Sequence, residues 1–393
     1  MCKAPGVAGE ATGAEVLVEH VRREGISVCF ANPGTTEMHI VDAFGGIGGV
    51  RPVLGLHENV VTGAADGYAR MSRKPSMTLL HLGPGLSNGL ANLHNAKRSG
   101  VPIFNVIGTM AIPHQDKEAP LKMDAAALAG TVSQLIEEPQ TREELDAALN
   151  RCLDEMRTPT SPGTSRICTL LLAHDLQWQQ APMLDVTLPP MVDAAAARGG
   201  RMDAPGIAAA AISSLREAGA RGAILLGGAA LCEPWLSRVD AIAYAVGATL
   251  LCANGFSRVD RGRGRPAVQR IPYFPRDAHL ELAKFDVIVL LDAIEPVAQF
   301  MYDDGLSLLV SKGTTTFSIY AADVDAALQR FSDDLWPAGS SSLATRPPRV
   351  LPAPPRLPTG ALSAAKMCTL VASLQPPDAI IVDESITSGT TYW

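Results

Sequence analysis

The fold of this chain is decided by the stretch Gly55-Leu56-His57-Glu58-Asn59-Val60-Val61-Thr62-Gly63-Ala64-Ala65-Asp66-Gly67-Tyr68-Ala69-Arg70, in which a strand passes directly into a helix. The apolar run from Val53 to Leu56 predicts the strand. Glu58 falls in the first helical turn, where free N–H groups and the helix dipole favour negative charge. Small residues follow, so another element can pack closely against this helix. A carboxylate at this position either stabilises the helix or belongs to a functional site, and the spacing allows both.

Strands and helices alternate on both sides of this stretch. An amphipathic helix opens residues 11–28, with charged residues such as Glu19 on its solvent side. The turn Asn32-Pro33-Gly34 and Thr35, a predicted N-cap, then join a strand to the next helix. The predicted strands are 28–31, 53–56, 77–81, 102–108 and 167–173, and the predicted helical segments are 58–71, 86–98 and 121–157, with a glycine-rich turn at 82–85. This alternation indicates a mostly parallel sheet covered on both faces, which binds ligands at the carboxyl ends of its strands.

Shifts in composition divide the chain into domains. The expected parts are a first α/β domain at 11–180, a linker at 181–204, a second α/β domain at 205–335, a linker at 336–360 and the start of a third unit at 361–393. The second domain is predicted to contain a helix at 206–219 and strands at 223–226, 249–253, 287–292 and 316–320. The third unit has a predicted helix at 361–374 and strand at 379–384, which bury too little surface to fold alone. We therefore expect an α/β fold with two doubly wound, mostly parallel-sheet domains and the start of a third.

Composition and charge exclude several classes of partner. With 47% hydrophobic and 19% charged residues over 393 positions, the chain has the composition of a folded globular protein. Its net charge of -7 argues against nucleic acid or an anionic membrane as a partner. Seven scattered cysteines without a C-x-x-C pair predict reduced, buried thiols rather than disulfides or a zinc site. Since no apolar run approaches the roughly 20 residues of a membrane span and no signal-peptide pattern occurs, we expect a cytoplasmic protein.

The stretch around Glu58 resembles the catalytic-glutamate helix of the thiamine-diphosphate (ThDP) enzymes in the acetolactate synthase and benzoylformate decarboxylase group. Two neighbouring motifs carry the same resemblance. One is Phe30-Ala31-Asn32-Pro33-Gly34-Thr35-Thr36-Glu37 upstream, and the other is His81-Leu82-Gly83-Pro84-Gly85-Leu86-Ser87-Asn88 downstream. Three motifs in the family's order and spacing are more specific than any one of them. All three fall at the carboxyl ends of predicted strands, where this fold predicts a ligand site.

The resemblance implies roles for the matching residues. Glu58 matches a catalytic glutamate that hydrogen-bonds N1′ of the cofactor's aminopyrimidine and favours its 4′-imino form. This role suits a carboxylic acid in a poorly solvated pocket, which Val60 and Val61 would help to form. His81 matches a catalytic histidine that benzoylformate decarboxylase uses for proton transfer; the alternative is a histidine hydrogen-bonded at a strand end. The residues expected to bind the cofactor are Pro33, Gly34, Glu58, Gly83, Pro84 and Asn88.

Further expectations concern the substrate and the diphosphate of the cofactor. Thr35 matches a residue near the substrate, and His114 is a second candidate whose alternative is a surface position. In the family, a facing domain binds magnesium and the diphosphate through a Gly-Asp-Gly…Asn motif, which these 393 residues lack. Asp383-Glu384-Ser385 resembles only the opening strand of that domain. The resemblance therefore implies ThDP as cofactor, with Mg²⁺ bound by the missing domain and no metal ligand among the residues named above.

The second domain resembles the Rossmann-like middle domain of the family, which holds FAD or ADP in some relatives. FAD is possible here but is not indicated, because the Gly-x-Gly-x-x-Gly fingerprint is absent and Gly227-Gly228 alone is typical of a tight turn. A group of arginines in this domain either meets a diphosphate or forms a solvated basic loop. The group comprises Arg258, Arg261, Arg263, Arg265 and Arg270.

Three functional hypotheses follow from the resemblance. The first is a ThDP-dependent 2-oxo-acid decarboxylase or carboligase, of the acetolactate synthase or benzoylformate decarboxylase type, which is inactive as this chain alone. The second is a non-catalytic or regulatory subunit that dimerises with a full-length homologue. The third is a nucleotide-binding module in the middle domain. The expected partners are a small 2-oxo acid and further subunits, in a homodimer, a homotetramer or a heteromer with a full-length homologue.

Overall fold

A computed structural model describes residues 10–157, 164–182, 204–262, 264–320, 324–336 and 355–392. These residues form two packing units, one mostly within Met1–Met202 and the other within Asp203–Trp393. Most of the predicted linkers at 181–204 and 336–360 lies outside the described residues, and so does Arg263.

The first unit is built on parallel strands. Its strands are β1 (Glu10–Thr12), β2 (Val28–Asn32), β3 (Arg51–Leu54), β4 (Ser76–His81), β5 (Pro102–Thr109), β6 (Leu135–Glu137), β7 (Arg166–Ala173) and β8 (Gln180–Pro182). Its helices are α1 (Gly13–Arg23), α2 (Met38–Ile47), α3 (Glu58–Ser72), α4 (Leu82–Ser99), α5 (Ala125–Gly130), α6 (Arg142–Arg157) and α7 (His174–Trp178). Six strands form one parallel sheet in the order β3-β2-β4-β5-β7-β6, while β1 and β8 pair antiparallel. The predicted parallel α/β fold is confirmed.

Helices cover both faces of the six-stranded sheet. Successive side chains of a strand point to opposite faces, so Leu79 and Leu80 of β4 enter different cores. Helices α1, α2 and α6 cover the face of Leu79, whereas α3, α4 and α5 cover the face of Leu80. Strands buried on both faces are largely apolar. The interiors of strands β4, β5 and β7 are so except at Thr78, Asn105 and Thr169, which hydrogen-bond to one another across the sheet. Because α3 and α4 follow parallel strands of one sheet, both helices begin at the same sheet edge.

Two local predictions near this edge are wrong. Thr35 is not an N-cap, because the short 3₁₀ turn Thr35–Glu37 begins at Thr35 itself and is capped by Gly34. The segment 82–85 is not a separate turn but the first turn of α4. Its first residue, Leu82, has a left-handed φ of 53° that turns the chain sharply from β4 into the helix.

Two further predictions fail for reasons of tertiary packing. The helical segment predicted over 121–157 is interrupted by β6, which joins the edge of the sheet beside β7. Glu19 is buried rather than on the solvent side of α1. Arg22 and Arg23 of the same helix donate hydrogen bonds of 2.7–2.8 Å to its carboxylate, and this pairing offsets the cost of burying the charge.

The second unit contains a five-stranded parallel sheet. Its strands are β9 (Gly222–Leu226), β10 (Thr249–Cys252), β11 (Gln269–Arg270), β12 (Val287–Leu291) and β13 (Thr315–Ile319). Its helices are α8 (Ala204–Ala218), α9 (Trp235–Val246), α10 (Pro275–Leu282), α11 (Val324–Leu335) and α12 (Ala364–Leu374). The strand order is β11-β10-β9-β12-β13, with α8, α9 and α11 on one face and α10 on the other. This unit is also doubly wound.

The strand predicted at 379–384 does not form. The segment has no regular secondary structure, and Ile380 and Val382 expose 64% and 81% of their surfaces. Isolated β segments are not stable in water without a neighbouring strand. No described strand pairs with this one, so its local β propensity is not sufficient.

The described cysteines are thiols, as their spacing predicts. Five are buried and Cys368 is half-buried, with no disulfide among these six. Burial raises the pKa of the Cys168 thiol to about 12, so this group is protonated and unreactive at neutral pH. No helix within the described ranges is long and apolar enough to cross a membrane.

Candidate active site

Glu58 is held at the N-terminus of α3. The helix begins at Glu58 because His57 is its N-cap, and Nδ1 of His57 accepts a hydrogen bond of 3.1 Å from the amide of Asn59. The approach to the helix is fixed by Asn32, whose Nδ2 donates to the carbonyl oxygen of Gly55 over 2.8 Å. The Glu58 side chain is half-buried. It therefore combines a fixed backbone position with access to a ligand.

Asn88 and Gly85 of α4 lie against the Glu58 carboxylate. Asn88 donates a hydrogen bond from Nδ2 to Oε2 of Glu58, with a distance of 3.1 Å. A Cβ atom placed on Gly85 would lie 3.4 Å from Oε1 of Glu58 and 3.6 Å from Cβ of His81. The two predicted catalytic residues therefore flank the same glycine, and the structure brings Glu58, His81 and Asn88 together.

Small residues set the distance between α3 and α4. A Cβ atom on Gly89 would lie 2.8 Å from Cγ2 of Thr62, and one on Gly63 would lie 2.8 Å from Nδ2 of Asn92. The Thr62 hydroxyl is 3.0 Å from the carbonyl oxygen of Gly89 and 3.1 Å from that of Glu58. A larger residue at either glycine forces the helices apart. The glycines thereby control how Glu58 meets α4.

His81 ends β4 and lies in a buried polar cluster. Its Nδ1 atom is 2.9 Å from Oε2 of Glu37 and 3.1 Å from the hydroxyl of Thr36. Glu37 is fully buried and also accepts a hydrogen bond of 2.7 Å from the amide of Gly34. A Cβ atom on Gly34 would lie 2.5 Å from the imidazole ring, so this position needs glycine. The motif around Pro33 is therefore built to hold the ring of His81.

The other predicted residues surround this centre. Pro33 and Pro84 are half-buried beside the 3₁₀ turn and in the first turn of α4, and Thr35 is exposed. Gly83 has a packing role in addition to any contact with a ligand. A Cβ atom on it would lie 2.2 Å from Cβ of Met123, which belongs to the segment just before α5.

His114 and Val60 differ from the rest. His114 is exposed in the short turn Ile112–His114 after β5, and its imidazole has no hydrogen-bond partner among the described residues. No contact in the described structure joins it to Glu58. Val60 was expected to help form an apolar pocket with Val61, but it is 62% exposed while Val61 is buried in the core. Val60 therefore does not form the expected side of an apolar pocket in this structure. Leu56, four residues earlier, is also 92% exposed.

Glu37 is the site residue to which the sequence gives no separate role. It belongs to the upstream motif, but its buried contact with His81 joins residues 44 positions apart. One local signal points to it. Glu37 lies three residues after Gly34, and this is the spacing at which a glutamate reaches back to the backbone at the start of a helix.

In the second unit, the Gly227-Gly228 turn is already occupied. The carboxylate of Asp292 accepts a hydrogen bond of 2.8 Å from the amide of Ala229. A Cβ atom on Gly228 would lie 2.1 Å from Oδ2 of Asp292. A phosphate that approached this turn would be repelled by the Asp292 carboxylate, which already accepts from the amide that a phosphate would bind.

The nearby arginines pair within the same unit. Arg258 forms an ion pair with Asp260 over 2.9 Å, and Arg265 forms one with Glu233 over 2.9 Å. These ion pairs agree with the alternative in which the arginines form a solvated basic loop and do not meet a diphosphate. No group of three or more His, Cys, Asp or Glu side chains suited to a metal ion occurs in the part of the chain that the structure describes.

The site around Glu58 can hydrogen-bond a ring nitrogen and move protons. A carboxylate at a helix N-terminus, next to an amide donor, is suited to hydrogen-bonding a ring nitrogen. Gly85 beside it is buried and places no side chain between the Glu58 carboxylate and His81. The His81 side chain is 23% exposed and supplies a second proton-transfer group on the other side of Gly85.

The part of the chain that contains this site is similar to known proteins. The family model described as "Thiamine pyrophosphate enzyme, N-terminal TPP binding domain" matches residues 11–128, a range that includes every residue predicted for the site. The Mycobacterium tuberculosis protein named "Putative acetolactate synthase large subunit IlvX" is 37% identical over 381 residues, which cover 96% of this chain and 69% of the relative. Benzoylformate decarboxylase from Pseudomonas aeruginosa is 26% identical, with coverages of 95% and 71%.

Solved structures share the fold. The thiamine-diphosphate-dependent 4-hydroxybenzoylformate decarboxylase of Rhodococcus jostii RHA1 superposes with a TM-score of 0.76 at 22% identity, over 98% of this chain and 73% of that one. A putative thiamin-diphosphate-dependent enzyme from Mycobacterium smegmatis gives a TM-score of 0.72 at 20% identity, over 94% and 71% of the two chains. The identity with the M. tuberculosis relative extends over most of both chains, and the family model matches as well. The chain therefore belongs to the thiamine-diphosphate-dependent enzymes of the acetolactate synthase and benzoylformate decarboxylase type.

Proposed function

We propose that the chain supplies the aminopyrimidine-binding half of the active site of a 2-oxo-acid decarboxylase or carboligase. The observation that carries this proposal is the position of Glu58, half-buried at the start of α3 between the Asn88 amide and Gly85. The arrangement fits an aminopyrimidine, because one carboxylate oxygen accepts from Asn88 while the other accepts no hydrogen bond from a described residue.

ThDP, when bound, supplies the electron sink that stabilises the carbanion formed on loss of CO₂. Glu58 would hold a proton at a ring nitrogen of the pyrimidine, and Asn88 would keep the carboxylate in the required orientation. His81 would give or take a proton at the substrate, since part of its side chain is exposed and it flanks Gly85 together with Glu58. Gly34, Gly83 and Pro84 would shape the surface on which the cofactor rests, while Thr35 and His114 are candidates for substrate contact.

We further propose that residues outside these 393 supply the magnesium and diphosphate half-site. The family's Gly-Asp-Gly…Asn motif does not occur in the sequence. A hard cation such as Mg²⁺ prefers oxygen ligands in octahedral geometry together with the phosphates, and that motif provides them in relatives. The 393 residues alone should therefore bind ThDP weakly and turn over no 2-oxo acid.

A second candidate function is a non-catalytic or regulatory subunit, which associates with a full-length homologue. The two candidates differ in which chain's Glu58 is used, because only the first requires this Glu58 for turnover.

Assay of CO₂ release tests the proposal. The protein is purified from its source together with any co-purifying polypeptide, and its intact mass is compared with 41.3 kDa. Pyruvate and benzoylformate are then supplied with and without ThDP and Mg²⁺. We expect ThDP-dependent release from the purified assembly and none from the recombinant 393-residue chain. Absence of ThDP-dependent release and of ThDP binding in every preparation would overturn the proposal, and turnover by the 393 residues alone would overturn the need for residues outside these 393.

A further inference from the structure

The buried carboxylate of Glu37 and the ring of His81 form a pair beside Gly85. We propose that Glu37 is a positioning residue for His81: its carboxylate accepts a hydrogen bond from Nδ1–H, so that Nε2 is the unprotonated nitrogen that meets the substrate. The catalytic meaning of this assignment rests on the function proposed above, whereas the pairing itself does not.

Glu37 is immobilised from several sides. Its side chain has 0% exposure, and its carboxylate accepts hydrogen bonds from the amide of Gly34 at 2.7 Å and from the hydroxyl of Thr36 at 2.5 Å. A Cβ atom on Gly108 of β5 would lie 1.9 Å from Oε1 of Glu37. Gly108 is also the residue of β5 that pairs with His81 of β4. The absence of a side chain at Gly108 is therefore what lets the carboxylate lie next to the histidine.

The hydrogen-bond directions determine the tautomer of His81. The Thr36 hydroxyl gives its only hydrogen to Oε1 of Glu37, so towards the imidazole it can only accept. The other neighbour of Nδ1 is Oε2 of Glu37, which is also an acceptor. Both partners of Nδ1 accept, so Nδ1 must carry the hydrogen. In the neutral ring this leaves Nε2 with a lone pair.

The turn that carries this pair is anchored from a distant element. Gln177 of α7 has 0% exposure, and its Nε2 donates a hydrogen bond of 2.7 Å to the carbonyl oxygen of Thr36. The same Gln177 nitrogen is 3.3 Å from the carbonyl oxygen of Leu172 in β7. Thr36 and Glu37 are thereby tied to the sheet core. A carboxylate held in this way orients the ring more strictly than a mobile surface partner does.

The Nε2 edge of the ring is the edge that no described residue covers. The Nδ1 side of the imidazole is covered by Glu37, Thr36 and Gly34, and a Cβ atom on Gly34 would lie 2.5 Å from it. Nε2 has no partner among the described residues, and 23% of the side chain is exposed. The accessible part of the ring is thus the Nε2 edge. In a carboxylate–histidine pair of this kind, the carboxylate orients the ring while the far nitrogen exchanges the proton.

Nitrogen-15 NMR of the histidine rings tests the pairing without any cofactor. The full chain is labelled at histidine, and the signals of His81 are identified by their loss in His81→Gln. We expect wild-type His81 to be the Nδ1–H tautomer. In Glu37→Gln, an NH₂ group replaces one of the two accepting oxygens. At Oε1 it leaves the Thr36 hydrogen free to be given to Nδ1, and at Oε2 it donates to Nδ1 itself, so we expect a mixture of tautomers. Glu19→Gln, which alters another buried carboxylate of the same unit, should leave the His81 signals unchanged.

Two results would overturn the proposal. One is an Nε2–H tautomer of His81 in the wild-type protein, a measurement that needs no variant to fold. The other is a folded Glu37→Gln variant whose His81 signals match those of the wild type. A milder variant, Thr36→Val, removes the neighbouring hydroxyl but keeps the Glu37 carboxylate, and should keep the Nδ1–H tautomer. It therefore distinguishes the effect of losing a polar group in this turn from the effect of losing Glu37.

Kinetics of the assembled enzyme separate positioning from general stability. Glu37→Gln should lower kcat by about 10-fold to 100-fold with little change in ThDP affinity, as loss of a group that orients a working residue does. Combined with His81→Gln, it should cost no more than His81→Gln alone, because the two residues act through one proton-transfer group. Additive losses would contradict the pairing. If the assembly has no ThDP-dependent activity, the proposed function fails, while the NMR result still decides whether Glu37 sets the tautomer.

Discussion

Nδ2 of Asn88 lies 3.1 Å from Oε2 of Glu58 and joins α4 to the first turn of α3. The contact spans 30 residues of sequence and depends on two parallel strands that deliver both helices to one edge of the sheet. It leaves Oε1 of Glu58, which accepts no hydrogen bond from a described residue, beside the buried Gly85.

Removal of the Asn88 amide should weaken the site without unfolding it. We expect Asn88→Ala to lower the ThDP affinity or kcat of the assembled enzyme by about fivefold to tenfold, since one hydrogen bond to a carboxylate contributes roughly 1–1.5 kcal/mol. Asn95→Ala is the matched control, because Asn95 is exposed on the same helix and bonds only to Asn92 among the described residues. Equal effects of the two variants, measured by ThDP titration and steady-state kinetics, would show that Asn88 does not orient Glu58.

Two helical glycines should respond oppositely to alanine. Gly89→Ala places a methyl group 2.8 Å from Cγ2 of Thr62, which is buried and hydrogen-bonded, so we expect a loss of about 1–3 kcal/mol in the free energy of unfolding. Gly67→Ala on α3 meets nothing within 4 Å, and should stabilise the chain by about 0.5–1 kcal/mol through helix propensity. Urea unfolding of both variants checks the pair, and the close packing of α3 on α4 is wrong if Gly89→Ala is neutral.

The ion pairs of α1 predict a pH dependence of stability. The Arg22 guanidinium, together with Arg23, lowers the pKa of Glu19 from 4.5 to about 2. A depressed folded-state pKa stabilises the fold fully above pH 4.5 and loses this contribution as the pH falls towards 2.

Glu19→Gln should accordingly be less stable than the wild type by roughly 1–2 kcal/mol at neutral pH, a value reduced for the partial exposure of Arg22. The difference should shrink between pH 4.5 and about 2, as measured by urea unfolding at several pH values. A difference that stays constant to the lowest pH would mean that the carboxylate charge does not contribute.

The second unit should bind no flavin. The carboxylate of Asp292 takes the Ala229 amide at the Gly227-Gly228 turn, so a phosphate would be repelled where a dinucleotide needs a donor. We expect purified protein without visible flavin absorbance, and no saturable change of tryptophan fluorescence on titration with FAD. Stoichiometric flavin in the purified protein would contradict this assignment.

Sequence reasoning succeeded where the signal was local and periodic. The apolar runs of β4 and β5 and the start of α3 at Glu58 follow directly from such patterns. It failed where tertiary contacts decide. The role of Glu37 depends on Gly108 and His81, which approach it only when β4 and β5 pair. The segment 379–384 has the residues of a strand but no described neighbour to pair with.

The central claim is that Glu58 activates the cofactor, and the rate of CO₂ release by Glu58→Gln in the assembled enzyme tests it most directly. The assay uses saturating ThDP and Mg²⁺ with the 2-oxo acid that the wild type turns over, and Glu143→Gln on the exposed side of α6 is the control. We expect Glu58→Gln to lose about 10²- to 10⁴-fold in kcat, the contribution of a positioned acid–base group, while Glu143→Gln keeps full activity. A Glu58→Gln enzyme within about threefold of the wild type would contradict the account.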